Sequence, residues 1–171
     1  MAEEETALGW EDLKKMVAEV GSENGPGSKA WKAEGSETKR VNERFMRALR
    51  ENNGKLPGEL ADMPALIITT IGAKTGQKRA VPLGYQIVDG RLLVIASMAG
   101  ATRNPPWFNN LVKTSEVLVE KDGESFSANA IVTAGSDRNS LFQKICKSEP
   151  TFAAYQARTD RVIPVVELRR K

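Results

Sequence analysis

Lys74, Lys78 and Arg79 fall within one short stretch, Thr69-Thr70-Ile71-Gly72-Ala73-Lys74-Thr75-Gly76-Gln77-Lys78-Arg79. The apolar run Leu66-Ile67-Ile68 leads into it, and Ala80-Val81-Pro82-Leu83 leads out. The pattern predicts strand, tight turn, strand, with cationic heads gathered at one end. Gly72 and Gly76 let the backbone turn sharply and let a ligand come close. Backbone N–H groups exposed in such a turn form a nest for an anion. Arg79 adds a planar fork matched to phosphate or carboxylate, and the lysines add point charge. The chemistry implied is retention of a phosphorylated or polyanionic small molecule. A solvated hairpin turn uses the same residue types, so this stretch alone leaves both readings open.

A second segment, Gly100 to Leu111, contains Asn104-Pro105-Pro106-Trp107-Phe108-Asn109-Asn110. Asn104 suits an N-cap and Pro105 the first helical position. A short helix is expected there, its positive end near any bound anion. Trp107 and Phe108 offer flat apolar faces, and Asn109 and Asn110 offer amide edges. A planar heterocycle needs that mixture. A helix start with Trp107 packed into a core gives the same pattern.

The chain of 171 residues has no histidine and one cysteine. A Ser-His triad, a His-ligated zinc site and imidazole acid–base chemistry are therefore excluded within it. Cys146 alone forms no intrachain disulfide and no paired-cysteine metal site, and its helical apolar setting reads as a buried small hydrophobe. We expect no metal. Difficult chemistry would have to be carried by a cofactor. The net charge of +3 is too small to argue for nucleic acid, and no nucleic-acid motif is present. Gly72 to Gly76 lacks the spacing of a P-loop. No apolar run reaches the ~20 residues that span a bilayer. The acidic start lacks signal-peptide character, so the cytoplasm is the expected location.

The elements that must position these residues can be read from periodicity and turns. Leu8, Trp10, Leu13, Met16, Val17 and Val20 recur at helical spacing, and Gly21 to Ser28 reads as a flexible connector. We therefore divide the chain into an N-terminal helix and connector, 1–36, and a cofactor-binding domain, 37–171. The acidic first helix favours docking on protein over anionic lipid. A second helix is expected from Glu37 to Asn52, with Val41, Phe45 and Leu49 on one face. Strands are expected at Pro64–Thr70, Lys78–Val88, Arg91–Ser97, Val117–Lys121, Glu124–Val132 and Ile163–Leu168. Asp89-Gly90 and Asp122-Gly123 are strong hairpin signals. Ser136 to Cys146 should be a helix capped by Ser136. Six strands with three or four helices suit a small antiparallel barrel of the α+β class.

Four segments together resemble the deazaflavin-dependent nitroreductase family, whose members use coenzyme F420. They are Thr69 to Leu83, Ala96-Ser97-Met98-Ala99-Gly100, Asn104 to Leu111, and Tyr155-Gln156-Ala157-Arg158-Thr159-Asp160-Arg161-Val162-Ile163-Pro164-Val165. The family patterns are T-T-x-G-x-K-[ST]-G-x-x-R-x-x-P-L, an A-S-K-G-G-like run, N-P-x-W-[YF]-x-N-L and Y-Q-x-x-T-x-R-x-I-P-V. The resemblance covers roughly residues 40 to 171. It implies a split β-barrel of the FMN-binding type with N-terminal and peripheral helices. It also implies hydride transfer from reduced F420 to an electron-poor small molecule: an activated alkene or enone, a quinone or a nitro-aromatic.

The resemblance carries site roles with it. Ala73, Lys74, Thr75 and Arg79 match the contacts to the cofactor phosphate and tail. Ala80, Val81, Pro82, Leu83 and Gly84 match the strand beside it. Ile95, Ala96, Ser97 and Met98 match the next strand's contacts. Pro106, Trp107, Phe108, Asn109 and Asn110 match the segment beside head and tail, and Phe152 an aromatic near the deazaflavin. Tyr155 matches the substrate-pocket tyrosine and is the catalytic candidate, though a core tyrosine with its hydroxyl at the rim fits as well. Met98 stands where the family has lysine, and Lys78 offers partial compensation. Glu149 and Phe152 stand where some relatives have tyrosine. An FMN-binding barrel and a non-catalytic deazaflavin carrier remain alternatives, and both monomer and homodimer are open.

Overall fold

The computed structural model describes residues 36–171. The expected first helix and connector lie outside the described residues. Helix α1 spans Ser36–Glu51, one residue off the expected span. Val41 and Leu49 are buried as its spacing requires, Met46 joins them, and Phe45 is half-buried.

Strand β1 (Ala65–Ile71) explains why its sequence is apolar almost throughout. Leu66 and Ile68 point into the barrel with Val94, Ala96, Trp107 and Phe108. Ala65 and Ile67 point the other way, under Met46 and Leu49 of α1 and Leu56. A strand covered on both faces loses the usual alternation.

Six strands were expected and seven form, because Lys78–Val88 breaks at Tyr85. Its halves are β2 (Lys78–Gly84) and β3 (Gln86–Val88). The others are β4 (Arg91–Ile95), β5 (Glu116–Lys121), β6 (Glu124–Val132) and β7 (Val165–Arg170). The order is β2-β1-β5-β6-β7-β4-β3, and every pair is antiparallel. The two outermost strands are thus consecutive in the chain, so the sheet must curl until its ends meet. The Tyr85 N–H donates to the Pro64 carbonyl at 3.2 Å and holds the bend. Both Asp-Gly hairpins form as expected, with positive φ at Asp89, Gly90, Asp122 and Gly123.

Helix α2 runs Pro106–Lys113, α3 Gly135–Ser148 and α4 Thr151–Ala157. Two expected caps are corrected. Ala134, not Ser136, occupies the N-cap of α3, and no side chain caps it. At α2, Pro105 is the N-cap and Pro106 the first residue. Asn104 does not cap, because Pro106 has no N–H to offer and Arg161 Nη1 donates to the Asn104 side-chain oxygen Oδ1 at 2.8 Å. Helices α3 and α4 cover β4 and β7, packing Leu141, Phe142, Ile145 and Tyr155 on Leu93, Ile163 and Val165.

A charge cluster ties α3 to these strands. Arg91 forks onto Asp137 at 2.8 and 3.1 Å and reaches Glu167 at 2.7 Å, and Arg169 also meets Glu167 at 3.1 Å. Burial pushes the Glu167 carboxyl up, but hydrogen bonds from Arg169 and Arg91 outweigh it and hold the group below its ordinary 4.5. Arg91 likewise holds Asp137 below its ordinary 3.8. Depressed carboxyls stabilise the fold fully above their unfolded pKa and lose that contribution as pH falls through the folded value. Thermal melts from pH 7 to pH 3 should therefore show stability falling below about pH 4.5. Glu167→Gln should cost about 1–3 kcal/mol at pH 7 and flatten that acid limb. An unchanged pH profile in this variant would count against the assignment.

Candidate functional site

The turn after β1 is closed by its own backbone. Gly72 donates to the Gln77 carbonyl at 2.7 Å, and Gly76, at φ 69°, donates to the Gly72 carbonyl at 2.8 Å. A Cβ at Gly72 would lie 2.7 Å from Thr75 Oγ1 and 3.2 Å from the Gln77 carbonyl oxygen, so a larger residue there would make the Thr75 side chain turn away. Helix α2 then grips the turn from one side. The Ala73 N–H donates to Asn110 Oδ1 at 2.9 Å, Lys113 Nζ donates to the Ala73 carbonyl at 2.6 Å, and Asn110 Nδ2 donates to Thr70 Oγ1 at 3.1 Å. In a planar trans peptide the N–H points opposite the C=O. With the Ala73 carbonyl held by Lys113, the Lys74 N–H points away from it. The N–H groups of Lys74 and Thr75 have no partner among the described residues.

Register places Arg79 directly across from Thr70. Alternation puts Arg79 on the same side of β2 as Val81 and Leu83, which pack on the interior cluster. Lys78 and Ala80 face the other side, where Ala80 packs with the α1 residues. Strand pleating therefore parts Lys78 from Arg79 although they adjoin in sequence. Lys74 and Arg79 are both exposed, and Arg79 Nη2 touches only Gln77 Oε1, at 3.3 Å.

A second loop, Ala96 to Asn104, leaves β4 close to α2. Met98, Ala99 and Gly100 have φ of 44°, 50° and 80°, a left-handed run that side chains resist. Arg161 holds it open. Its guanidinium donates to the carbonyls of Ala96 at 3.1 Å, Ser97 at 2.7 Å and Ala101 at 2.8 Å, besides Asn104. With the Ala96 and Ser97 carbonyls turned to Arg161, the N–H groups of Ser97 and Met98 point away from it. They and the Ala99 N–H have no partner among the described residues. Ser97 in αR followed by Met98 at positive φ matches the backbone of an anion nest.

The aromatic residues are placed differently from one another. Trp107 and Phe108 are buried, packed edge to face at 6.3 Å within the barrel cluster. Their faces are covered by protein, because helical spacing turns residues 107, 108 and 111 inward. Pro106 and Asn109 are exposed on the outer side of α2. Phe152 and Tyr155 meet edge to face at 5.9 Å in the other cluster, together with Ile95 and Ala99. Tyr155 is buried, yet its hydroxyl has no hydrogen-bond partner among the described residues. No fully buried side-chain oxygen lacks a partner there, so this hydroxyl reaches the surface. Burial pushes its pKa up, partly opposed by Arg158.

The loop from Ile95 to Gly100 thus joins the turn-and-α2 region to Tyr155. Ala96 packs with Trp107 and Phe108, and Ala99 with Tyr155 and Phe152. Two surface hollows, of about 230 and about 100 Å3, are lined by residues of the Asp89–Gly90 and Asp122–Gly123 turns and include none of these groups. The candidate site is an open surface carrying cations and free N–H groups. Among the described residues no group of acidic or cysteine side chains could hold a metal. Sequence reading gave no role to Arg161 or Lys113. Lys113 could have been found, three residues after Asn110 and so on the same helical face.

A family model described as F420H(2)-dependent quinone reductase matches residues 39–169. An F420H(2)-dependent quinone reductase of Mycobacterium tuberculosis strain H37Rv is 32% identical over 126 residues, 71% of this chain and 85% of that protein. A solved F420-H2 dependent reductase, FDR-A, has a TM-score of 0.55 at 32% identity, covering 61% of this chain and 93% of that one. Another solved chain, described as a domain-swapped dimer, has a TM-score of 0.57 at 31% identity over 78% of this chain and 99% of that one.

Proposed function

Since the chain belongs to the F420H(2)-dependent quinone reductase family, we propose that it reduces a quinone or similarly flat, electron-poor acceptor at the surface between α2, the Gly72–Gly76 turn and Tyr155. It is a split-barrel reductase that uses coenzyme F420. Reduced F420, when bound, supplies a hydride to an electron-poor carbon. The chain's own task is to hold, orient and screen.

The observation that carries this reading is the donor set. The unpaired N–H groups of Lys74 and Thr75 lie beside the exposed cations Lys74 and Arg79, and a second set follows at Ser97, Met98 and Ala99. Backbone donors with adjacent cations and no carboxylate partner suit a phosphate-bearing tail. Pro106 and Asn109 offer the open side of α2 to the rest of the cofactor. Tyr155 is the group we assign to the acceptor. A phenol is protonated at neutral pH and burial pushes this one further in that direction, so it can donate a hydrogen bond to a carbonyl oxygen. Close alignment of the two reactants would supply most of the rate.

The domain-swapped relative supports a homodimer as part of this proposal. Among the described residues no helix is long and apolar enough to cross a membrane. A reducing, cytoplasmic setting is part of the same reading and agrees with the lone, half-buried thiol of Cys146. We likewise take 37–171 as the cofactor-binding domain.

Fluorescence titration with oxidised F420 and with FMN tests the assignment. Binding of F420 in the micromolar range or tighter, with FMN much weaker, is the expected result. Binding of FMN alone would move the protein to the flavin branch. Tight F420 binding without turnover of any quinone would indicate a carrier.

A further inference from the structure

Arg161 differs from the arginines that pair with carboxylates and shares with buried Arg138 a guanidinium given wholly to neutral oxygens. Arg50 pairs with Glu120, Arg91 with Asp137 and Glu167, Arg169 with Glu167, and Arg170 with Glu124. Arg161 is half-buried and spends its guanidinium on three carbonyls and one amide oxygen. No carboxylate lies within ion-pair distance of it among the described residues. Placing a cation there is costly without a counter-charge, and burial pulls its pKa down. Its backbone is itself fixed, because Gln156 Nε2 donates to the Arg161 carbonyl at 2.7 Å and Gln156 Oε1 accepts from the Ile163 N–H at 3.0 Å. Simple tethering of carbonyls could be done by a neutral amide. Arg138 holds the Ile163 carbonyl, whose peptide unit ends in Pro164 and has no N–H, whereas the peptide units held by Arg161 carry N–H groups, unpartnered among the described residues, on their far side, where the charge becomes useful if something negative arrives.

We infer that Arg161 is a positioning residue for the anionic end of the cofactor. It turns the N–H groups of Ser97 and Met98 outward and stands behind them as a cation whose counter-charge is the ligand's phosphate. A guanidinium bonded to a peptide carbonyl also polarises the N–H of that peptide, so each donor binds an anion more strongly. The chain thereby recovers charge at a loop where Met98 provides none. This inference rests on the reading of the loop as part of an anion site.

The test compares F420 with the same deazaflavin stripped of its phosphate and everything beyond it. Dissociation constants for both would be measured by fluorescence on the full chain, on Arg161→Met and on Arg161→Lys, with melting curves alongside. The full chain should prefer F420 over the tail-less compound by at least about tenfold. Arg161→Met should weaken F420 by about 10–100-fold, the loss expected for hydrogen bonds to a charged group. It should change tail-less binding by less than about threefold. Arg161→Lys keeps the charge with fewer donors and should fall between. A role confined to folding would weaken both ligands alike, and that result, or no change in either, overturns the inference. Should Arg161→Met fail to fold, Arg161→Lys decides, since an unchanged preference there also overturns it. If the unsubstituted chain itself shows no preference for the tailed cofactor, the anion-site reading fails first.

Discussion

Gly100→Ala should lower the melting temperature by about 6–12 °C and largely abolish F420 binding. The residue stands at φ 80°, and a Cβ there would lie 2.5 Å from the Tyr155 carbonyl oxygen and 3.0 Å from Arg158 Cβ. A side chain held in that backbone region costs about 1–3 kcal/mol. The contact with a backbone oxygen adds to this, because a carbonyl anchored in α4 cannot swing aside as a flexible side chain can. A total of about 3 kcal/mol in a chain of this size corresponds to the stated shift. The loop has two ways to relieve the strain. It can move away from α4, which misplaces the Ser97 and Met98 N–H groups, or push α4 outward, which misplaces Tyr155. Either response removes something the proposed site needs. Differential scanning calorimetry together with an F420 titration would check both parts. A variant that melts normally and binds normally would show that the left-handed run is dispensable.

Lys74→Ala with Arg79→Ala should weaken F420 binding by about 100-fold or more while leaving the melting temperature nearly unchanged. Each lost charge-assisted hydrogen bond accounts for about a tenfold change or more. Both side chains are exposed, and Arg79 has one long contact, to Gln77. Truncation at such positions usually shifts stability by less than about 0.5 kcal/mol. The residual affinity should depend less on salt than that of the full chain, because two screened attractions are gone. Equal affinity before and after substitution would remove the turn from the site and leave the Ser97–Ala99 nest as the anion-binding element.

These expectations depend on how much the order of residues discloses. Local signals were legible. Asp89-Gly90 and Asp122-Gly123 demand positive φ at both positions, and only a tight hairpin supplies it. The spacing of Val41 and Leu49 marked the buried side of α1. Lys74, Thr75 and Arg79 stood out because glycine and cations cluster around them, and the four family-like segments pointed to the fold and to F420. Features that depend on distant partners were hidden. Gly84 is the one local hint of the bend at Tyr85, which exists because the strand is shared between opposite ends of the sheet. Asn104 looks like a cap until Arg161, 57 residues later, takes its oxygen. Asn110 looks like a ligand contact, and its oxygen and one of its two amide hydrogens also tie the turn to α2 through Ala73 and Thr70. Trp107 advertises a stacking face that the folded barrel covers. Long-range hydrogen bonds decide which polar groups stay free, and periodicity carries no record of them.

Strand β2 has a strand neighbour on one side only, and its other side borders the seam where the curled sheet ends. Such an edge invites a foreign strand to add to it, the route by which β-proteins aggregate. Lys78 and Arg79 at its start and Pro82 in its middle are the residue types that discourage this, the cations by repulsion and desolvation, the proline by withholding an N–H. Arg79 would thus serve solubility as well as the proposed cofactor binding. A chain stripped of it would expose a longer apolar margin at the start of this strand.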